Sequence, residues 1–143
     1  MIETDDRNKG MNRKVLLTAI NAKYIHSNLA VYSLKAFAGY YGDQIEVAEF
    51  TINQQTDYIL QEIYRKKPDI LAFSCYVWNM EHIGELLENI SVVLPETVVW
   101  LGGPEVSSDS EEVLEKYPGV KGIMQWEGED TFLRLMQFYL GRQ

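Results

Sequence analysis

Twelve residues constrain the fold more than any others: Thr97-Val98-Val99-Trp100-Leu101-Gly102-Gly103-Pro104-Glu105-Val106-Ser107-Ser108. The run from Thr97 to Leu101 is apolar or β-branched on both faces, which reads as a strand buried in a parallel sheet. Gly102 and Gly103 end that strand and permit close backbone approach, because neither carries a Cβ. Pro104 has no N–H for a sheet ladder, so the chain leaves the sheet there. Ser107, Ser108, Asp109 and Ser110 supply N-caps for a helix beginning with Glu111-Glu112. The product is a βα unit with a bare loop at the carboxyl end of its strand, the edge where ligands sit in open α/β sheets. A tight turn without a ligand is the competing reading of the same residues.

The rest of the chain repeats this alternation. Lys14–Ile20 predicts a central strand, apolar on both faces, and Ile70–Cys75 predicts another. Gln44–Phe50 alternates polar and apolar residues, as an edge strand with one wet face does. Gly122–Trp126 predicts the fifth strand. Helices are expected over Leu29–Tyr40, from a Thr56 cap to about Lys66, after an Asn79 cap, around Glu111–Lys116, and from near Gly128 onward. In the Asn79-capped helix Ile83, Leu86, Leu87 and Ile90 form an apolar stripe, and in the last helix Phe132, Leu135, Met136 and Tyr139 point inward. Five βα units imply an α/β fold: a five-stranded parallel sheet, helices on both faces, flavodoxin-like, in the order 2-1-3-4-5. The switch point then lies between the first and third strands. The loops Asn21–Asn28 and Tyr76–Asn79 converge there, and the Gly-Gly-Pro loop and Trp126-Glu127-Gly128-Glu129 extend the rim.

Composition narrows the function classes. The 143 residues suit one domain over residues 13–143, with the polar residues 1–12 read as a disordered leader. A net charge of -8 argues against nucleic acid or an anionic membrane as partner. No apolar run approaches the roughly 20 residues of a membrane span. The single Cys75 excludes an internal disulfide and fits a cytoplasmic location. The acidic pair of a phosphoacceptor domain, the Ser/Thr-rich loop of a flavodoxin, the dinucleotide fingerprint and the P-loop are all missing. No cluster has metal-ligand spacing, and no nucleophile–base pair stands out. His82, in the first turn of a helix, is read as solvated.

One composite pattern remains. Leu101–Ser107 (LGGPEVS), a short helix, and Gly119–Glu129 (GVKGIMQWEGE) resemble the amino-terminal cobalamin-binding-type domain of radical S-adenosylmethionine enzymes. That group joins a Gly-Gly-Pro loop to a later Gly-Glu-Gly-Glu turn; here Trp126 replaces the first glycine, while Glu127, Gly128 and Glu129 stand. Leu17–Ala30 and Phe73–Asn79 resemble a branch whose relatives are often labelled anaerobic magnesium-protoporphyrin monomethyl ester cyclases.

The resemblance implies a cobalamin-binding module, or one descended from such modules, with Asn21, Tyr24, His26, Ser74, Tyr76, Gly102, Gly103, Pro104, Ser107, Glu127 and Gly128 as cofactor-binding candidates. The nucleotide tail would pass between the first and third strands and along the Gly-Gly loop. Ser74 and Ser107 would donate hydrogen bonds to it. Relatives with Asp-x-His-x-x-Gly after the first strand ligate cobalt through the His; Ala22, Tyr24 and Ser27 occupy those places here, and Tyr24 offers no imidazole. His26 is read as a loop histidine bonded to backbone. The cysteine motif for a 4Fe-4S cluster is absent, so cluster and S-adenosylmethionine chemistry belong to a catalytic radical domain expected elsewhere in the same polypeptide. The implied reaction is methyl transfer or anaerobic ring cyclisation of a tetrapyrrole-like substrate, with this chain not catalytic alone. The alternative is a cofactor-less interaction domain that docks the radical barrel or its substrate. Tyr76, Trp78 and Trp126 would then form a rim that stacks on the corrin or lies beneath the partner domain.

Overall fold

A computed structural model describes residues 12–22, 29–125 and 128–141. The expected leader therefore lies outside the described residues except at Asn12. Strands β1 (Val15–Asn21), β2 (Ile45–Thr51), β3 (Ile70–Ser74), β4 (Val98–Gly102) and β5 (Val120–Met124) form one sheet in the order β2-β1-β3-β4-β5. Every pairing is parallel. The helices are α1 (Leu29–Phe37), α2 (Thr56–Lys66), α3 (Met80–Val93), the single turn α4 (Pro104–Ser107), α5 (Ser110–Lys116) and α6 (Glu129–Leu140).

The burial follows from side-chain alternation. All seven residues of β1 are buried, because it has strand partners on both edges and helices over both faces. Leu16, Ile20, Leu71, Phe73, Val99 and Leu101 point into one core layer with Ile59 and Ile63 of α2 and Ile83, Leu86 and Ile90 of α3. Leu17, Ala19, Ile70 and Ala72 point the other way, against Val31 of α1 and Phe132, Met136 and Leu140 of α6. Packed apolar area at about 25 cal/mol per Å2 is what holds these layers together.

Three local expectations are corrected. The fifth strand starts and ends two residues earlier than the apolar run Gly122–Trp126 suggests, for a reason visible in the register. Val99 pairs with Val120 but Trp100 pairs with Gly122, so Lys121 is an extra residue and β5 carries a bulge. The bulge reverses side-chain parity along the rest of the strand: Val120 lies in the α2–α3 core layer, whereas Met124 lies in the α1–α6 layer. It also brings Gly122 beneath the Trp100 indole, where an added Cβ would stand 2.5 Å from the ring. Second, the helix expected to reach Tyr40 stops at Phe37 and gives way to a 3-10 segment, Gly39–Gln44, whose two glycines are poor helix formers. Third, Thr56 is the first residue of α2 and Gln55 takes the cap position; the Thr56 hydroxyl instead donates to Glu85 at 2.9 Å, joining α2 to α3.

Candidate functional site

At the carboxyl ends of β1, β3, β4 and β5, on the side covered by α1 and the start of α6, the surface opens into a slot of about 850 Å3. Leu17 and Ala72 form its sheet-side floor, and Val31 and Leu34 of α1 form one wall. Ser74, Gly102 and Met124, paired across three adjacent strands, form the next row toward the strand ends. Ser107, Ser108 and Tyr76 ring the opening. The slot is therefore apolar in depth and hydroxyl-bearing at its edge. No Lys, Arg or His lines it among the described residues.

The two glycines after β4 have different duties. Gly102 lies on the same face as Met124, and a Cβ there would meet Met124 at 3.4 to 3.6 Å, so its bare α-carbon leaves the slot open without being forced by the fold. Gly103 has φ 103°, and a Cβ on it would lie 2.4 Å from the Cys75 carbonyl oxygen and 2.8 Å from the Cys75 nitrogen. Its missing side chain makes room for the neighbouring strand end. Hydrogen bonds lace this junction: Cys75 N–H donates to the Gly102 carbonyl at 2.7 Å, Glu105 N–H to the Cys75 carbonyl at 3.3 Å, and the Ser107 hydroxyl to the Gly103 carbonyl at 2.8 Å. Pro104 starts the α4 turn that carries Ser107 to the opening.

Asn79 is the residue that sequence reasoning misread. It occupies the cap position of α3, yet its side chain makes no capping bond. It is fully buried, and its amide spans the switch point. Oδ1 accepts the Tyr76 N–H at 2.8 Å, while Nδ2 donates to the Ile20 carbonyl at 3.0 Å and the Ser74 carbonyl at 2.9 Å. One side chain thus ties the ends of β1 and β3 to the turn that follows β3. That turn presents Tyr76 and Trp78, stacked at 4.5 Å between centroids and 5° between planes, with Trp78 Nε1 donating to the Ile20 carbonyl at 3.2 Å. Trp78 remains 37% exposed and Val77 76% exposed, so this part of the rim is open to solvent.

Of the expected site residues, Ser74, Tyr76, Gly102, Gly103, Pro104, Ser107 and Gly128 meet around the slot. Asn21 does not line it: its Nδ2 donates to Glu49 at 3.2 Å, and Glu49 also accepts from the Tyr32 hydroxyl at 2.9 Å. The bond to Glu49 holds the Tyr32 phenol above its ordinary pKa. Tyr24, His26, Glu127 and the rim residue Trp126 lie outside the described residues. His82 is half-buried rather than solvated, its Nε2 being 3.0 Å from the Ile52 carbonyl oxygen. Sequence reasoning missed Leu17, Leu34, Ala72 and Met124 as slot residues because their apolar character reads as ordinary core. Among the described residues no group of His, Cys, Asp or Glu could hold a metal ion.

Cys75 is sealed behind this junction. Burial pushes its thiol up to about 12. Its labelling by Ellman's reagent at pH 8 is expected to keep pace with unfolding in urea, since the reagent needs an exposed thiolate. Rapid labelling of the folded chain would show that the Gly103 junction opens on its own.

Comparison with known proteins places these features in a family. A family profile described as B12 binding domain matches residues 15–136. The cobalamin-dependent radical SAM methyltransferase TokK of Streptomyces tokunonensis is 36% identical over 70 residues, 49% of this chain and 10% of that protein. The chain thus matches about a tenth of the length of this curated relative. A cobalamin-binding protein from Desulfitobacterium hafniense DCB-2 superposes with a TM-score of 0.65 at 15% identity, covering 92% of this chain and 60% of that one. The cobalamin-dependent S-adenosylmethionine radical enzyme OxsB, solved with aqua-cobalamin and S-adenosylmethionine bound, superposes with a TM-score of 0.70 at 17% identity over 90% of this chain and 19% of its own. Among the described residues no helix is long and apolar enough to cross a membrane.

Proposed function

Because the chain belongs to the B12 binding domain family, we propose that it holds cobalamin in the slot above β1, β3 and β4, as one module of a larger methyl-transferring protein. The observation that carries this is the slot itself: apolar in depth, edged with hydroxyls, and kept open by the absent side chain of Gly102. These features fit the nucleotide arm of cobalamin, a flat aromatic base joined to a phosphoribose. Leu34 and the other apolar residues of the lining would hold the base, where apolar area leaves water. Ser74 and Ser108 would offer hydroxyls to ribose or phosphate oxygens, while Ser107, whose proton goes to the Gly103 carbonyl, would serve only as an acceptor. The Tyr76–Trp78 stack beside the opening offers a rigid apolar shelf to the corrin side of the molecule.

Cobalamin, when bound, supplies a cobalt centre able to accept and donate a one-carbon group. The chain's own contribution is position and exclusion of water. Methyl transfer is the reaction named for the curated relatives, and it is the half of the sequence expectation retained here. Ring cyclisation finds no counterpart in those names and is not proposed. Partner chemistry, including the iron–sulfur cluster and S-adenosylmethionine, belongs to a radical domain beyond these 143 residues.

The deciding experiment is equilibration of the chain with hydroxocobalamin, desalting, and a visible spectrum. Retention of close to one equivalent is expected. A colourless protein after desalting would return the chain to the cofactor-less docking reading.

A further inference from the structure

Resting on that function, we infer that Glu49, which stands outside the slot, is a positioning residue: it holds α1 and so places one wall of the slot. The wall in question is Ala30 and Leu34 of α1. Ala30 is exposed and Leu34 only half-buried, so packing constrains this wall less than it constrains the buried floor. Something other than core packing has to place it.

Strand alternation brings a carboxylate to the right face. Ala19 and Ile45 lie in the α1–α6 layer. Asn21, two residues beyond Ala19, and Glu49, four beyond Ile45, therefore face the same side of the sheet. There Glu49 Oε1 accepts from Asn21 Nδ2 at 3.2 Å, and Oε2 accepts from the Tyr32 hydroxyl at 2.9 Å. One end of this bridge is fixed, since Asn21 is 3% exposed and its carbonyl accepts the Ile52 N–H at 2.9 Å. The other end, Tyr32, belongs to the first turn of a helix only nine residues long. Both bonds go to a carboxylate, which makes them stronger than neutral pairs. Held above its ordinary pKa, the phenol stays a donor throughout the neutral range.

Helix geometry turns this tether into a constraint on the wall. Ala30 and Leu34, four residues apart, share one row, and Tyr32 projects about 200° round the helix from either. A hold on Tyr32 from the β2 side therefore fixes the roll of α1, and with it the reach of Leu34 into the slot. Without that hold α1 samples other rolls, and the guest binds only the fraction whose wall is in place. Affinity falls by that fraction, although no contact with the guest has been removed.

The test measures hydroxocobalamin affinity by equilibrium dialysis on the 143-residue chain, with circular dichroism showing that each variant is folded. Glu49→Ala and Tyr32→Phe are each expected to bind about 3- to 10-fold more weakly than the parent. The double variant is expected to be no weaker than Glu49→Ala, because both changes cut the same tether. Glu49→Gln is expected to recover most of the loss: its carbonyl still accepts from Asn21, and its amide can donate to the Tyr32 oxygen. Glu46→Ala is the control. It removes a carboxylate from the same strand, but one paired with Lys66 of α2 on the opposite face, and it is expected to leave affinity unchanged. Parent-like affinity in folded Glu49→Ala overturns the inference and leaves cobalamin binding intact. Parent-like affinity in Tyr32→Phe overturns it too, even should Glu49→Ala fail to fold. Equal losses in Glu49→Ala and Glu46→Ala would make the effect one of strand charge and overturn the tether. A parent that binds no hydroxocobalamin overturns both this inference and the function it rests on.

Discussion

Asn79→Ala is expected to unfold at clearly lower urea than the parent, having lost about 2–4 kcal/mol of stability. Truncation strands the Tyr76 N–H and the Ser74 carbonyl beneath a fully buried site, and each orphaned group costs about 1–3 kcal/mol. The Ile20 carbonyl keeps one donor, Trp78 Nε1, so the loss stops short of three groups. Asn79→Asp separates this role from mere space-filling. A carboxylate still accepts from Tyr76 but turns its second oxygen toward two carbonyl oxygens. The introduced carboxyl is thereby held neutral to a higher pH than in the unfolded chain. That variant should be most stable in acid and lose stability as pH rises through the ordinary carboxylate range. Urea midpoints at pH 4.5 and 7.5, referred to the parent, test the sign. A parent-like midpoint in Asn79→Ala would remove the clamp.

The second large effect separates the two adjacent glycines. Gly103→Ala should cost about 3 kcal/mol, because the left-handed backbone and the 2.4 Å approach to the Cys75 oxygen both oppose a side chain. Gly102→Leu should fold with a melting temperature near the parent's, its Cβ meeting Met124 in near-ordinary contact and its flexible remainder entering the slot. That variant should bind hydroxocobalamin about 10- to 100-fold more weakly, the measure of filling a site that must otherwise repack. Thermal unfolding by circular dichroism and corrinoid titration read the two properties independently. A stable Gly103→Ala, or undiminished binding in Gly102→Leu, would show the duties of the two residues to be assigned wrongly.

Much of this was readable from residue order, and the exceptions have physical causes. The three interior strands announce themselves because a strand covered on both faces has no reason to alternate, as in Val15-Leu16-Leu17 and Ile70-Leu71-Ala72-Phe73. The sheet order follows from the alternating pattern of β2, which belongs at an edge. The ends of β5 resisted reading because a bulge changes parity without any marker residue; Lys121 is an ordinary exposed lysine. Asn79 was read by the local rule for residues that precede a helix. Its partners, Ile20, Ser74 and Tyr76, are set by the meeting of β1 with β3, which no local pattern encodes. The glycine pair is legible as a bare, close-approach loop, but only the crossing of Cys75 behind Gly103 tells which of the two has no room for a side chain.

The slot above β1 and β3 also bears on the abundance of the protein. Leu17, Ala72 and Met124 are buried core residues that also line an opening of about 850 Å3. A guest seated there completes the packing, so loading and folding become one linked equilibrium. At a free guest concentration of 100 times its dissociation constant, the loaded chain gains about 2.7 kcal/mol over the empty one. That margin is enough to change the unfolded fraction by about a hundredfold, and with it the exposure to cellular proteases. Supply of the guest would then set how much of the protein persists as well as how much of it is active.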